Sequence, residues 1–151
     1  MRNTSKSGTS ILFFYKKEIS MELVRKHKTQ TGHINVSCPE LTAVDLVENE
    51  KSVGGLNRVC TVLNELAETM NLDSLDDSFF KTSAIPVFQR LGYILEHVLE
   101  RADLAETLYS KMKVAGLKFR KIPFKINKPT EGCEVDKKWK VIINQEIEID
   151  E

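Results

Sequence analysis

Cysteine is scarce in this chain and scattered. Cys38, Cys60 and Cys133 form no CxxC pair and have no histidine at ligand spacing, which argues against a disulfide framework and against a zinc site. Long apolar runs are missing as well. Ile11-Leu12-Phe13-Phe14-Tyr15 follows a basic stretch as a signal peptide would, but Lys16 and Lys17 end it far short of a signal's apolar region. No segment approaches the ~20 apolar residues of a membrane span, so a cytoplasmic protein without membrane contact is expected. Neither GxxxxGK[ST] nor GxGxxG occurs, and Gly54-Gly55 lacks the flanking strand and lysine of a phosphate cradle. It reads instead as punctuation between two helices. No Ser/His/Asp order suggests nucleophilic catalysis.

What is present is an ordinary folding composition, 41% hydrophobic and 29% charged over 151 residues, enough for one well-buried core. The formal net charge is zero, but the charges are segregated along the chain. Residues 1–30 carry seven Lys/Arg against two Glu, and residues 110–128 carry seven Lys/Arg and no acid. Residues 31–109 hold five bases against thirteen acids, and 129–151 hold three against seven. Charges farther apart than about 8 Å are largely screened at physiological salt, so a partner meets the local patch rather than the average.

Residues 1–10 are small and polar and read as a flexible leader, leaving 11–151 as a single domain. β-Branched and aromatic residues from Ile11 to about Lys28 predict one or two strands, and Thr31-Gly32 a turn before a short strand over His33–Ser37. Ser37, Pro39 and Glu40 are arranged as a capping box at the start of a helix running from about Cys38 to Glu48. Leu56, Val59, Cys60, Leu63, Leu66, Ala67 and Met70 recur at helical spacing as one apolar stripe. A short acidic helix is predicted over Ser74–Lys81. Another opens at Pro86, with Gly92 inside it marking a close helix crossing. A last helix spans Ala102–Val114 and ends at Gly116. Strands are predicted again over Leu117–Ile122 and Trp139–Ile143, the latter turning at Asn144 into Gln145–Ile149. The expected fold is α+β: short N-terminal strands, a central run of four to five helices, and C-terminal strands completing a mixed or antiparallel sheet.

Candidate chemistry is thin. Glu40 and Asp45 are five residues apart and share no helix face, and capping already accounts for Glu40. Asp136-Lys137-Lys138 contains the Asp-x-Lys element that a cation-dependent nuclease would use, without a second acidic strand before it. His27, His33 and His97 fall in separate elements. No catalytic residue, metal or cofactor is expected. The basic residues are the remaining signal: Lys16, Lys17, Arg25, Lys26 and Lys28 in the early strands, and Lys118, Arg120, Lys121 and Lys125 in the later one. If those strands are sheet neighbours they form a positive face for nucleic-acid phosphates. Otherwise they are strand edges protected by lysine. An acidic helical face for docking another protein is the alternative binding mode.

The stretch PELTAVDLVENEKSVGG from Pro39 resembles the opening motif of the C-terminal domain of the AbiEi antitoxin family. FQRLGYILE (Phe88 to Glu96) and WKVIINQEIEID (Trp139 to Asp150) agree in type and order, and together they span about residues 30–151. The resemblance implies a non-enzymatic antitoxin of a type IV, abortive-infection toxin-antitoxin system in phage defence. Such a protein represses its own operon and counteracts a nucleotidyltransferase-like toxin, with or without direct contact. It also implies that the winged helix which reads the operator in that family is absent here, since too few residues precede Pro39. DNA contacts would then be non-specific. Within the motifs Pro39, Glu40 and Thr42 start and cap a helix, Asp45 ties it to Arg90, and Trp139, the largest apolar surface, anchors sheet to helices. Gly92 and Asn144 complete the structural set.

Overall fold

The computed structural model describes residues 2–6, 9–13, 24–29 and 32–149, with side chains described from Cys38 onward. Two antiparallel hairpins come first: β1 (Arg2–Lys6) with β2 (Thr9–Phe13), and β3 (Val24–Thr29) with β4 (Gly32–Ser37). The stretch read as a leader thus contributes a strand.

Helix α1 spans Pro39–Glu48. Its N-cap is Cys38, which makes no side-chain capping bond, while Ser37 is the last residue of β4. The helix therefore starts one residue after the expected box, with Pro39 in the first turn, where a missing N–H leaves no bond unmade. Thr42 instead donates its hydroxyl to the Cys38 carbonyl at 3.1 Å. Helix α2 (Leu56–Leu66) buries Leu56, Val59, Cys60 and Leu63, the stripe its spacing predicted, and continues as a 3-10 turn over Ala67–Thr69. The acidic segment forms only a 3-10 turn, Asp77–Lys81, with Asp76 accepting the Ser78 amide.

Helix α3 (Ile85–Tyr93) buries every residue from Val87 to Tyr93 and runs into a π-turn over Ile94–Val98. A helix apolar on one face only would not be enclosed this way. α3 lies at the centre, in contact with both α1 and α4. Helix α4 covers Ala102–Val114, as its pattern predicted. It closes with Gly116 at φ +76, the Gly116 amide on the Lys113 carbonyl and the Leu117 amide on the Met112 carbonyl. This double bond satisfies helix-end carbonyls that would otherwise stay open.

The C-terminal third departs from expectation. Where strands over Leu117–Ile122 and Trp139–Ile143 were to complete a mixed or antiparallel sheet, β5 (Ile122–Pro123) and β6 (Val141–Ile142) form a two-residue parallel pair, with a single antiparallel bridge from Val135 to Ile142 beside it. Gln145–Ile149 forms no strand among the described residues. The reasons are local. Gln89 Nε2, wholly buried on α3, donates to the carbonyls of Arg120 at 2.9 Å and Trp139 at 2.7 Å. The Trp139 amide goes to Asp136 Oδ2 at 2.7 Å, and Lys140 sits at φ +57, which no strand residue adopts. Pro123 has no N–H to extend the ladder. Helices and a small parallel pair thus enclose one core, an α+β domain with far more helix than strand.

Candidate nucleic-acid interface

Trp139 organises the surface between α3, α4 and the C-terminal segment. Its ring is fully buried over Gly92, where a built Cβ would lie 2.2 Å from ring carbons Cη2 and Cζ3. Gly92 is therefore small to admit an indole, not to let two helices cross. Phe119 stacks on Trp139 (centroids 5.9 Å, 16° between planes), and Tyr109 of α4 meets both rings edge-on at 5.3 and 5.9 Å. The indole N–H points to Glu96 Oε1 at 3.3 Å.

Cations surround this stack. Lys113 Nζ lies 4.6 Å from the Phe119 centroid and 5.2 Å from that of Tyr109, and Lys140 Nζ is 3.5 Å from the Phe119 carbonyl. Lys118 and Arg120 flank Phe119, Lys121 follows, and Lys137 stands in the turn before Trp139. All six side chains are exposed. Among the described residues, ion pairs engage Arg101, Lys125 and Lys138, His97 Nε2 lies 3.3 and 3.1 Å from Glu96 and Asp136, and none of these contacts involves the six. Lys138 differs from its neighbours. Its ammonium bridges Glu96 at 2.7 Å and Glu106 at 2.8 Å. Burial alone would raise the Glu96 carboxyl, but the hydrogen bonds from Lys138 and Trp139 outweigh it and hold the group below its ordinary range. Burial pulls the Lys138 ammonium down, and its two carboxylates more than restore it, leaving it raised.

The residues singled out in the sequence are therefore distributed. Lys16 and Lys17 lie outside the described residues. Arg25, Lys26 and Lys28 are on β3, opposite Val36, Asn35 and His33 of β4, and their side chains lie outside the described set. β3 pairs with β4 and β5 with β6, so among the described residues no shared sheet joins the two basic stretches. Lys118, Arg120 and Lys121 do cluster. Lys125 is committed inward, its ammonium 2.8 and 3.0 Å from the two oxygens of buried Glu50. Lys113 and Lys140 join them through Phe119 without having been anticipated, and Lys137 stands two residues before Trp139. They come from α4 and from the turn before β6, which only the docking of Trp139 brings together.

The motif residues are structural in their contacts. Arg90 does not pair with Asp45: its Nε donates to the Pro123 carbonyl at 2.9 Å, and the charge it feels is Glu50. Burial lowers its pKa, and Glu50 opposes the shift. Asn144 clasps the 125–128 loop, accepting the Lys125 amide at 2.8 Å and donating to the carbonyls of Lys125 and Lys128 at 2.9 and 3.2 Å. Glu40 is 1% exposed at the start of α1. The Asp-x-Lys element is absorbed into the same frame. Asp136 holds the Trp139 amide and lies 3.1 Å from His97 Nε2, while Lys138 is spent on two carboxylates. Among the described residues, no cluster of three or more His, Cys, Asp or Glu is placed to hold a metal ion, and no helix is long and apolar enough to cross a membrane.

A family model described as the AbiEi antitoxin C-terminal domain matches residues 12–97. The match begins in β2 and ends at the π-turn after α3, so α4, the cation cluster and Trp139 lie beyond it. No curated protein and no solved structure matches the chain.

Proposed function

The chain belongs to the AbiEi antitoxin family, and from that membership we propose that it counteracts a nucleotidyltransferase-like toxin in a type IV abortive-infection system and contacts nucleic-acid phosphates without enzymatic activity of its own. The toxin-antitoxin role comes with the family. The phosphate contact rests on one observation, the six exposed cations gathered around the Phe119–Trp139 stack. Phosphates need positive charge that is accessible, unneutralised and held at fixed spacing. The rings themselves are buried, Trp139 at 0% and Phe119 at 9%, so bases cannot stack on them. The aromatic stack fixes the backbone from which Lys118, Arg120, Lys121, Lys137 and Lys140 project. Contacts of this kind carry no base readout and fit a sequence-blind role in regulation.

The test is a shift assay with random duplex DNA across a salt series, comparing wild type with K118E/R120E/K121E. Each lost phosphate contact should reduce the slope of log K against log salt by about 0.9. Unchanged slope and affinity in the triple variant would remove the cluster from DNA binding. Co-expression with the neighbouring gene's product tests the antitoxin role separately, through rescue of growth.

A further inference from the structure

A second surface lies on the other side of the C-terminal segment. An open groove of about 530 Å³ runs beside it, with Tyr93, Val98 and Phe124 on one wall and Ile143, Ile147 and Ile149 on the other. That volume lies within the range of pockets that accommodate several side chains, roughly 300–1,000 Å³. The wall formed by Gln145–Ile149 alternates: Gln145, Ile147 and Ile149 are half-buried, and Glu146 and Glu148 are exposed. Ile147 and Ile149 pack on the edge of the core. This is the pattern of a strand, yet among the described residues no strand pairs with it. Among the described residues, one backbone amide of the segment is engaged, that of Glu148 on Asn57 Oδ1 at 3.2 Å. Among its carbonyls, that of Glu146 accepts the Nε2 of its neighbour Gln145 at 3.1 Å; an alternating edge whose other amides and carbonyls are open is a template for one more strand.

The charge around the groove selects what that strand carries. Glu146 lines it and Glu148 alternates with the groove-facing isoleucines. The Glu134 carbonyl holds the Ile143 amide, and Asp136 meets His97 at the groove's end. Lys128 reaches Gln145 Oε1 at 2.9 Å, and Lys138 is already balanced by Glu96 and Glu106. A second copy of the same edge would set Glu146 and Glu148 against their own kind. An approaching Lys- or Arg-bearing strand meets opposite charge.

We propose that the groove beside Gln145–Ile149 binds an extended segment of a partner polypeptide that alternates apolar and basic residues. The segment adds as a strand to this edge. Its backbone bonds to the open amides and carbonyls of the segment, its apolar side chains fill the space over Tyr93 and Phe124, and its ammonium or guanidinium groups face Glu146 and Glu148. Backbone pairing supplies affinity that does not depend on sequence, and the groove and rim supply selectivity. The inference stands apart from the antitoxin reading: growth rescue can fail while the groove still binds, and the reverse.

The probe is a short capped peptide alternating valine and lysine, titrated into the full ¹⁵N-labelled chain. Binding should move the amide resonances of Gln145–Ile149 together with those around Tyr93 and Val98. N-methylation of every backbone amide of the peptide, which blocks both strand edges and keeps the side-chain charge, should weaken binding at least tenfold. So should the E146K/E148K variant, whose changed side chains are exposed and whose fold is checked by circular dichroism. A valine–glutamate peptide should not bind. The proposal is overturned if the valine–lysine peptide leaves these amides unmoved, or if the N-methylated peptide binds equally well, which would make the attraction purely ionic. Concentration-dependent self-association through the same amides would assign the edge to a second copy and overturn it as well.

Discussion

At the scale of single residues, Gly92 and Trp139 form the most sharply constrained pair. An alanine Cβ at 92 would stand 2.2 Å from the indole, inside any permitted contact, so G92A must expel the ring or bend α3. Helix propensity favours alanine over glycine by about 1 kcal/mol, but overpacking of this severity costs about 1–3 kcal/mol and wins. Net destabilisation of up to about 2 kcal/mol is expected, read as a lower denaturation midpoint. In a W139L background, where the ring is gone, the same substitution should cost much less, because the two sites share one volume. Additive losses would show that the ring does not rest on Gly92. Glu96 makes a prediction about pH. Its folded pKa is depressed below the ordinary 4.5, so its contribution is fully present above that value and is lost as pH falls through the folded value. The stability difference between wild type and E96Q, measured by chemical denaturation, should shrink as pH drops below 4.5. A constant difference would mean that Lys138 and Trp139 do not favour the charged form.

At the scale of elements, the connection between α1 and α2 is fastened to the loop after β5 by Glu50 and Lys125. Glu50 is 6% exposed, so removing Lys125 leaves a carboxylate in a poorly solvated place. K125M should destabilise more than E50Q/K125M, with a coupling of about 1–3 kcal/mol in a double-mutant cycle. Zero coupling would reduce the pair to a surface contact. The same elements show what the sequence made legible. α2 and α4 could be read because an apolar stripe and a closing glycine are local signals, and α1 because Pro39 marks its first turn. The enclosure of α3 could not be read. Gln89 and Arg90 interrupt its stripe as polar residues, and only the structure shows that their partners are the carbonyls of Arg120, Trp139 and Pro123. Those same bonds explain why LKFRKI and WKVII, both strand-like in composition, contribute only Ile122 and only Val141 and Ile142 to the parallel pair. β-Propensity reports fit to a pleated surface, and here a helix side chain took the place of the neighbouring strand.

At the scale of the whole molecule, charge segregation along the sequence becomes charge segregation in space only in part. The basic stretch at 110–128 carries seven Lys/Arg and no acid, and the fold divides it by function. Lys118, Arg120 and Lys121 face solvent, Lys111 donates to the carbonyls of Asp73 and Leu75, and Lys125 is paired with Glu50. Sequence cannot make this division, since neither the Glu50 partner nor the joining of Lys113, Lys137 and Lys140 to the exposed group is visible before Trp139 docks. Identical charge reversals at Lys121 and Lys125 should therefore have opposite signatures. K121E removes an accessible cation, so DNA affinity should fall and the salt slope should shrink by about 0.9, with the denaturation midpoint nearly unchanged. K125E places a second carboxylate against buried Glu50, so stability should fall by at least what K125M loses, while the salt slope of the folded fraction stays at the wild-type value. Equal slope changes in the two variants would mean that the cation cluster extends to Lys125 and that Glu50 does not hold it.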